Sequence, residues 1–281
     1  LTYQLRLLEP VLVSQAETGE ENSAIGLPFI PGSALRGAVA TCYARAHPRV
    51  DLAADPAARA LFLDGTVAFL HAYPAPGGVR LLPTPCSWFT EKDQIEDLQG
   101  TLYDWAVNAD VRLKSPKAPK GGAFCLLAPP APSEIDDGVD SLEALLKPSP
   151  PATVRFYTPA REVNVHIALV QANTRTDENK VYRYDALAAG ERLAGVIVAP
   201  DDFDLGPLRE LLEQEATLFL GGAHTAGYGR VQVEGLREIK GWTEYENGPT
   251  PQSVVTVTLL SDAILRGPDG QFDADLNGAL A

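Results

Sequence analysis

Four glycines fall within nine residues in the run Leu220-Gly221-Gly222-Ala223-His224-Thr225-Ala226-Gly227-Tyr228-Gly229-Arg230-Val231, between a predicted helix and a predicted strand. No other stretch restricts the local fold as strongly. Nucleotide-binding glycine loops run from a strand into a helix, so that phosphates meet the helix N-terminus, and a P-loop also needs Lys-Ser or Lys-Thr after its last glycine. Here Gly227 is followed by Tyr228, and the chain enters Val231-Gln232-Val233, which reads as a strand. The order excludes both loop types. What remains is a ribbon of main chain that can adopt positive φ and approach a ligand without Cβ atoms in between. A polymer backbone suits such a surface, whereas a plain turn needs only one or two glycines.

The ribbon closes an alternation of strand and helix patterns. Leu1, Tyr3, Leu5 and Leu7 alternate with polar residues as in a half-buried strand. After the polar stretch Gln15 to Ser23 comes Leu27-Pro28-Phe29-Ile30-Pro31-Gly32-Ser33, in which Ser33 reads as an N-cap. Leu35, Ala38, Val39, Cys42 and Ala46 then follow helical spacing until Pro48, with His47 at the helix end. Val67, Phe69 and His71 suggest a strand. From Tyr73 to Pro151 the text is rich in Pro, Gly and Ser and reads as a large irregular insertion. Val163, Val165, Ile167 and Leu169 share one face of a further strand; Asn173 to Asn179 form a polar hairpin tip, and the chain returns at Val181-Tyr182-Arg183-Tyr184. Leu193 to Ala199 suits a buried strand. Leu205, Leu208, Leu211, Leu212 and Ala216 follow helical spacing, with Pro207 in the first turn. This order predicts an α+β, ferredoxin-like (RRM-like) domain over 1–240, with its insertion at 73–151, helices on one face of an antiparallel sheet, a linker at 241–252, and the start of a second such unit at 253–281.

Composition bounds the rest. The 281 residues suffice for a substantial core, and 45% hydrophobic with 21% charged residues is ordinary for a soluble globular protein. No apolar run is long enough to span a bilayer and no positively charged leader precedes one, which predicts a cytoplasmic protein without a membrane partner. Cys42, Cys86 and Cys125 are far apart and lack C-x-x-C spacing, so they read as buried thiols rather than disulfides or zinc ligands. No His, Asp and Glu cluster at ligand spacing suggests a metal, and no cofactor motif is present. A chain of this length without any Met, ending in what looks like the opening of something further, reads as a piece of a longer protein. The net charge of −14 opposes free-standing nucleic-acid binding. The basic residues nevertheless cluster at Arg112, Lys114, Lys117 and Lys120, and again at Arg155, Arg161, Arg175, Lys180 and Arg183, which permits one basic face on an acidic body.

Ile30-Pro31-Gly32-Ser33-Ala34-Leu35-Arg36-Gly37 resembles the I-P-G-S-S-L-[RK]-G signature that opens the first helix of RAMP proteins, repeat-associated RNA-binding subunits of CRISPR effector complexes. Gly222, Gly227, Gly229, Arg230 and Val231 resemble their glycine-rich loop, with Leu220 in place of its usual leading Gly, which implies a shorter or stiffer loop. Thr225 to Arg230 and the late Leu259 to Arg266 are most similar to the RAMP subunit of subtype III-D complexes, itself similar to the subunits that hold the five-prime handle of the guide RNA. The resemblance implies guide (cr) RNA as ligand, and the large signalling subunit and backbone RAMP subunits as partners in antiviral defence.

The residues themselves suit such a ligand. Pro31-Gly32-Ser33 at a helix start offers N–H groups, a hydroxyl and the positive end of the helix dipole to a phosphate, with Arg36 and Gly37 one turn on. Gly221, Gly222, Thr225, Gly227 and Gly229 offer main chain, Tyr228 a ring to stack on a base, and Arg230 a charge. Arg175 resembles the tip of a thumb-like hairpin. Three functions are carried forward: a non-catalytic guide-binding subunit, a RAMP ribonuclease, and an acidic protein-only adaptor. The slicing RAMP subunits carry an Asp before the I-P-G-S segment, absent from Gln15 to Phe29, where Glu17, Glu20 and Glu21 read as solvated; His47, His71 and His166 read as structural. His224, in the ribbon, is the candidate general base of the enzyme reading.

Overall fold

The computed structural model describes residues 1–14, 23–94, 100–107, 110–119, 122–128, 153–167 and 181–244. The chain divides into two units, Leu1–Leu82 with Gly121–Glu244, and Pro83–Lys120 with Tyr245–Ala281. The architecture is mixed α+β with strands in the majority. Residues 245–281, which include the strand pattern at Val255 and most of the expected linker, lie outside the described residues.

The first unit begins with β1 (Thr2–Leu7), whose Tyr3, Leu5 and Leu7 are buried while Thr2, Gln4 and Arg6 point the other way. After β2 (Ser23–Ile25) come α1 (Gly32–Ala46), α2 (Pro56–Phe62), β3 (Ala68–Phe69) and β4 (Tyr73–Pro74). The second unit, beyond β5 (Leu82–Pro83), holds β6 (Trp88–Glu91), β7 (Tyr103–Asp104) and β8 (Pro116–Lys117) in a small antiparallel sheet with β6 central. There the Phe89 and Trp105 rings stack with centroids 4.2 Å apart, and Trp88 Nε1 donates to Asp104 Oδ2. The first unit resumes with β9 (Phe124–Ala128), β10 (Thr153–Tyr157), β11 (Arg161–Ile167), β12 (Val181–Leu187) and β13 (Arg192–Val198). It closes with α3 (Gly206–Gln214), β14 (Thr217–Phe219) and β15 (Arg230–Arg237).

The main sheet runs β14-β15-β1-β13, and β3 and β4 lie in turn along the outer side of β13 as one interrupted strand; every pairing is antiparallel. Both long helices bury their apolar stripes in one core with this sheet: Leu35, Val39 and Cys42 from α1, and Leu208, Leu211 and Leu212 from α3, join Leu5, Leu193, Leu218 and Val233. Full burial of each Leu contributes about 1.5–3 kcal/mol. α3 ends at Gln214 rather than running through Ala216, because Thr217-Leu218-Phe219 pairs with Gln232, Val231 and Arg230. The glycine ribbon therefore joins two strands of a hairpin instead of a helix and a strand. Cys42 and Cys125 are buried as expected, whereas Cys86 is exposed.

A second sheet, β11-β12-β2, has two different faces. Its register aligns Asn164, Tyr184 and Ala24 in one row and Val163, Asp185 and Ile25 in the next, on the opposite face. The first face packs on Tyr228, and Arg161 ties the sheet together by pairing with Asp185 at 2.5 Å and donating to Gly26 O. The second face leaves Ile25, Val163 and Val165 exposed.

Candidate nucleic-acid interface

The first turn of α1 differs from the expected cap. Pro31, not Ser33, is the N-cap, and no side chain caps from that position. Instead Gly32 N–H donates to His71 Nδ1 at 3.0 Å, so an imidazole on the strand side satisfies one of the orphan amides of the helix. His71 must be neutral at Nδ1 to accept this bond, and burial, with Arg80 nearby, holds its pKa below the ordinary 6.5. Gly32 is required by close packing: a Cβ there would lie 1.8 Å from Phe69 O. The buried stripe Gly32, Leu35, Val39 turns Ser33, Arg36 and Gly37 outward, side by side and exposed. The helix start thus presents a hydroxyl, a guanidinium and a bare glycine to solvent, while its first amide serves the fold.

The ribbon is pinned at both ends by its own protein. Leu220 is buried, and its N–H donates to Gly229 O at 2.8 Å. Gly221, at φ 79°, would place a Cβ 2.2 Å from Leu12 O; Gly229, at φ 97°, would place one 2.5 Å from Leu220 O. These two glycines are needed for internal contacts. Gly222 and Gly227 are exposed, and a Cβ at either would meet no atom within 4 Å. Between them His224–Ala226 forms a short 3₁₀ turn entered through Ala223, which sits at a left-handed φ of 59°; His224 and Thr225 are exposed.

Tyr228 departs from its expected role. It is 2% exposed, and its hydroxyl accepts from Asn164 Nδ2 at 3.0 Å and meets His166 Nε2 at 2.9 Å. Its ring stands edge-on to Tyr184. A ring held from three sides inside the protein does not stack on a base; the short Gly-Tyr-Gly run turns it toward the second sheet. Arg230 keeps an outward side chain, paired to Glu9 at 3.2 Å, while its N–H also bonds the Glu9 carboxylate. Arg161 is committed to Asp185 and does not contribute to a free basic face. His47 ends α1 as expected, its N–H donating to Tyr43 O. Arg175 lies outside the described residues, as do Lys120, Lys180, Glu17, Glu20 and Glu21.

The two motifs share one stretch of backbone. Pro10 O accepts from Gly229, Leu12 O from Gly222, and Val13 O from Leu27, five residues before α1. The segment 10–13 therefore anchors the ribbon on one side and the entry to the helix on the other.

The profile described as the RAMP superfamily matches residues 4–232, a span that includes both motifs. The chain belongs to the RAMP superfamily. No curated protein matches its sequence. Among solved structures, it is similar to a chain of the type III-B Cmr-beta complex in its apo state, at 12% identity and TM-score 0.44, covering 85% of this chain and 97% of that one. It is similar also to a chain of a type IV-B CRISPR complex, at 15% identity and TM-score 0.35, covering 89% and 94%. Oligomeric Cmr4 from Pyrococcus furiosus matches at 14% identity and TM-score 0.36, covering 83% and 96%.

Sequence reasoning missed three parts of this RAMP chain's site. His71 as the acceptor for the α1 amide is 39 residues from its donor, and no local signal announces it. Glu9 as the partner of Arg230 is likewise a tertiary pairing. Phe219 escaped because the expected order runs from a helix reaching Ala216 straight into the ribbon, with no strand at Thr217–Phe219; its outward position follows from the alternation Thr217, Leu218, Phe219, in which only Leu218 is buried.

Proposed function

We propose that this chain is a non-catalytic subunit of a type III CRISPR effector, of the III-D branch, that holds the five-prime handle of the guide RNA. Membership of the RAMP superfamily, whose resemblance implies RNA binding, supports RNA as the ligand class. The antiparallel order β15-β1-β13-β3, with α1 and α3 on one face, supports a ferredoxin-like core. The observation that carries the reading is the open main chain at Gly222 and Gly227, exposed beside Arg230, where an RNA backbone can approach as no Cβ would allow. Ser33, Arg36 and Gly37 on the outward face of α1 supply a second contact of the same chemistry, a hydroxyl and a guanidinium for phosphate. The exposed row of Ile25, Val163 and Val165 supports a protein contact for the large signalling subunit or a backbone RAMP subunit.

Binding of a labelled guide RNA tests this. Gly222→Leu fills only solvent and leaves the melting temperature unchanged, yet weakens RNA binding at least tenfold; Arg36→Ala with Arg230→Ala does the same. Full affinity in both variants defeats the reading and leaves the protein-only adaptor. The ribonuclease reading rests on His224, exposed within the ribbon. Cleavage of target or precursor RNA that His224→Ala abolishes would favour it.

A further inference from the structure

Phe219 is 50% exposed, and it is the only Phe, Tyr or Trp on the exposed surface among the described residues. Scattered exposed aliphatic residues need no explanation, but a half-bared Phe forgoes much of the stabilisation that its burial would bring. Its surroundings are unlike those of the exposed valines. Phe219 is the last residue of β14, directly opposite Arg230 in the register. The imidazole of His224 stands 5.7 Å from its ring, centroid to centroid, at 59°. His224 is delivered there by the turn that follows Ala223, a residue in the left-handed region where non-glycine side chains are uncommon. Gly222, with open space around it, lies three residues beyond Phe219.

We propose that Phe219 and His224 form a stacking platform for an unpaired RNA base, with Arg230 placed to take the adjoining phosphate. The inference rests on the RNA-binding reading above and assigns to Phe219 the stacking role that the buried Tyr228 cannot fill. Stacking on an aromatic face accepts any base, since every base has a π surface, so the platform fixes the strand without reading its sequence. The charge comes from Arg230, which must exchange Glu9 for the phosphate. Ligand recognition at this edge is therefore divided: the ring holds a base, the bare main chain lets the strand approach, and the guanidinium neutralises it.

The test uses the full chain and fluorescein-labelled single-stranded RNA of the guide's five-prime sequence, with 2-aminopurine at successive positions. Phe219→Ala weakens binding roughly tenfold and stays folded, its melting temperature lowered only by loss of the half of the ring that is buried. Phe219→Tyr binds within about twofold of wild type, and Phe219→Leu, which keeps bulk without a π face, behaves like Phe219→Ala. One 2-aminopurine position is quenched by the wild type and recovers in Phe219→Ala. The dependence of affinity on salt stays the same in Phe219→Ala, because no phosphate contact is lost. Wild-type affinity in Phe219→Ala or in Phe219→Leu overturns the platform. If those variants bind normally while Arg36→Ala with Arg230→Ala does not, the RNA reading survives and only the platform fails. If the wild type binds no RNA, both fail.

Discussion

Tyr228 shows how one hydroxyl links the ribbon to the second sheet. Its oxygen has two partners, Asn164 and His166, at 3.0 and 2.9 Å. Tyr228→Phe keeps the ring and removes both bonds, although Asn164 Nδ2 still donates to Glu162 Oε1; this costs about 0.5–1.5 kcal/mol and lowers the melting temperature. Urea unfolding measures this, and an unchanged midpoint would show that the network contributes nothing. Glu9 acts in the opposite sense, since its carboxylate competes with phosphate for Arg230. An exposed pair of this kind contributes at most about 1 kcal/mol to stability, so Glu9→Gln leaves folding intact, still accepts the Arg230 N–H, and tightens RNA binding up to about fivefold. Weaker binding by Glu9→Gln would mean that the carboxylate positions Arg230 rather than occupying it. His71 carries a pH dependence. Its folded-state pKa lies below the ordinary 6.5, so the unfolded chain binds the extra proton first as pH falls. The stability due to neutral His71 is thus complete above about pH 6.5 and is lost as pH drops through the folded-state pKa. His71→Gln, which removes the titration, flattens the stability profile between pH 7 and 5; an identical slope in both proteins would refute the assignment.

α1 places two glycines under opposite constraints within six residues. Gly32→Ala drives a Cβ to 1.8 Å from the Phe69 carbonyl oxygen, a backbone atom that cannot step aside, and costs about 1–3 kcal/mol or more. Gly37 is exposed, inside the helix, and meets nothing within 4 Å; Gly37→Ala raises stability by about 0.5–1 kcal/mol. Thermal melts of the two variants check the pair, and a destabilised Gly37→Ala would mean that the outward face is not free. Elements of this kind were legible in the sequence because their signal is local. Alternation in β1, the spacing of Leu35, Val39 and Cys42, and Pro207 at the start of α3 each report burial within a few residues. β14 was not legible, since three residues carry too little periodicity and its strand character comes from pairing with Arg230, Val231 and Gln232. α2 was overlooked although Asp55-Pro56 is a cap signal, the Asp55 side chain accepting from Ala58 N–H. In the ribbon, composition marked unusual backbone correctly but could not say what each glycine meets. Gly221 and Gly229 are held against the chain itself, and only the coordinates separate them from Gly222 and Gly227.

At the scale of the whole molecule, the difficulty for an RNA-binding reading is charge: 23 basic residues stand against 37 acidic ones. Pairing sharpens it. Arg6 and Arg192 share Glu234, Arg80 meets Glu244, Arg161 meets Asp185, and Arg209 meets Glu213, so five guanidinium groups are engaged by four carboxylates within the fold. Arg36 has no carboxylate partner among the described residues, and the exposed Arg230 has one, the partly buried Glu9. A body of net charge −14 does not draw its affinity from a general phosphate attraction; the binding must come from a small number of placed contacts, main chain and stacking, in which counterion release is a minor part. The salt dependence of affinity therefore measures the design directly. Each phosphate neutralised on a single strand contributes a slope of about −0.7 in log affinity against log salt. The wild-type slope is accordingly shallow, and Arg36→Ala with Arg230→Ala flattens it by about 1.4, leaving a residual binding almost independent of salt. A steep slope that the double variant leaves unaltered would place the phosphate contacts on other cations and remove both motifs from the interface.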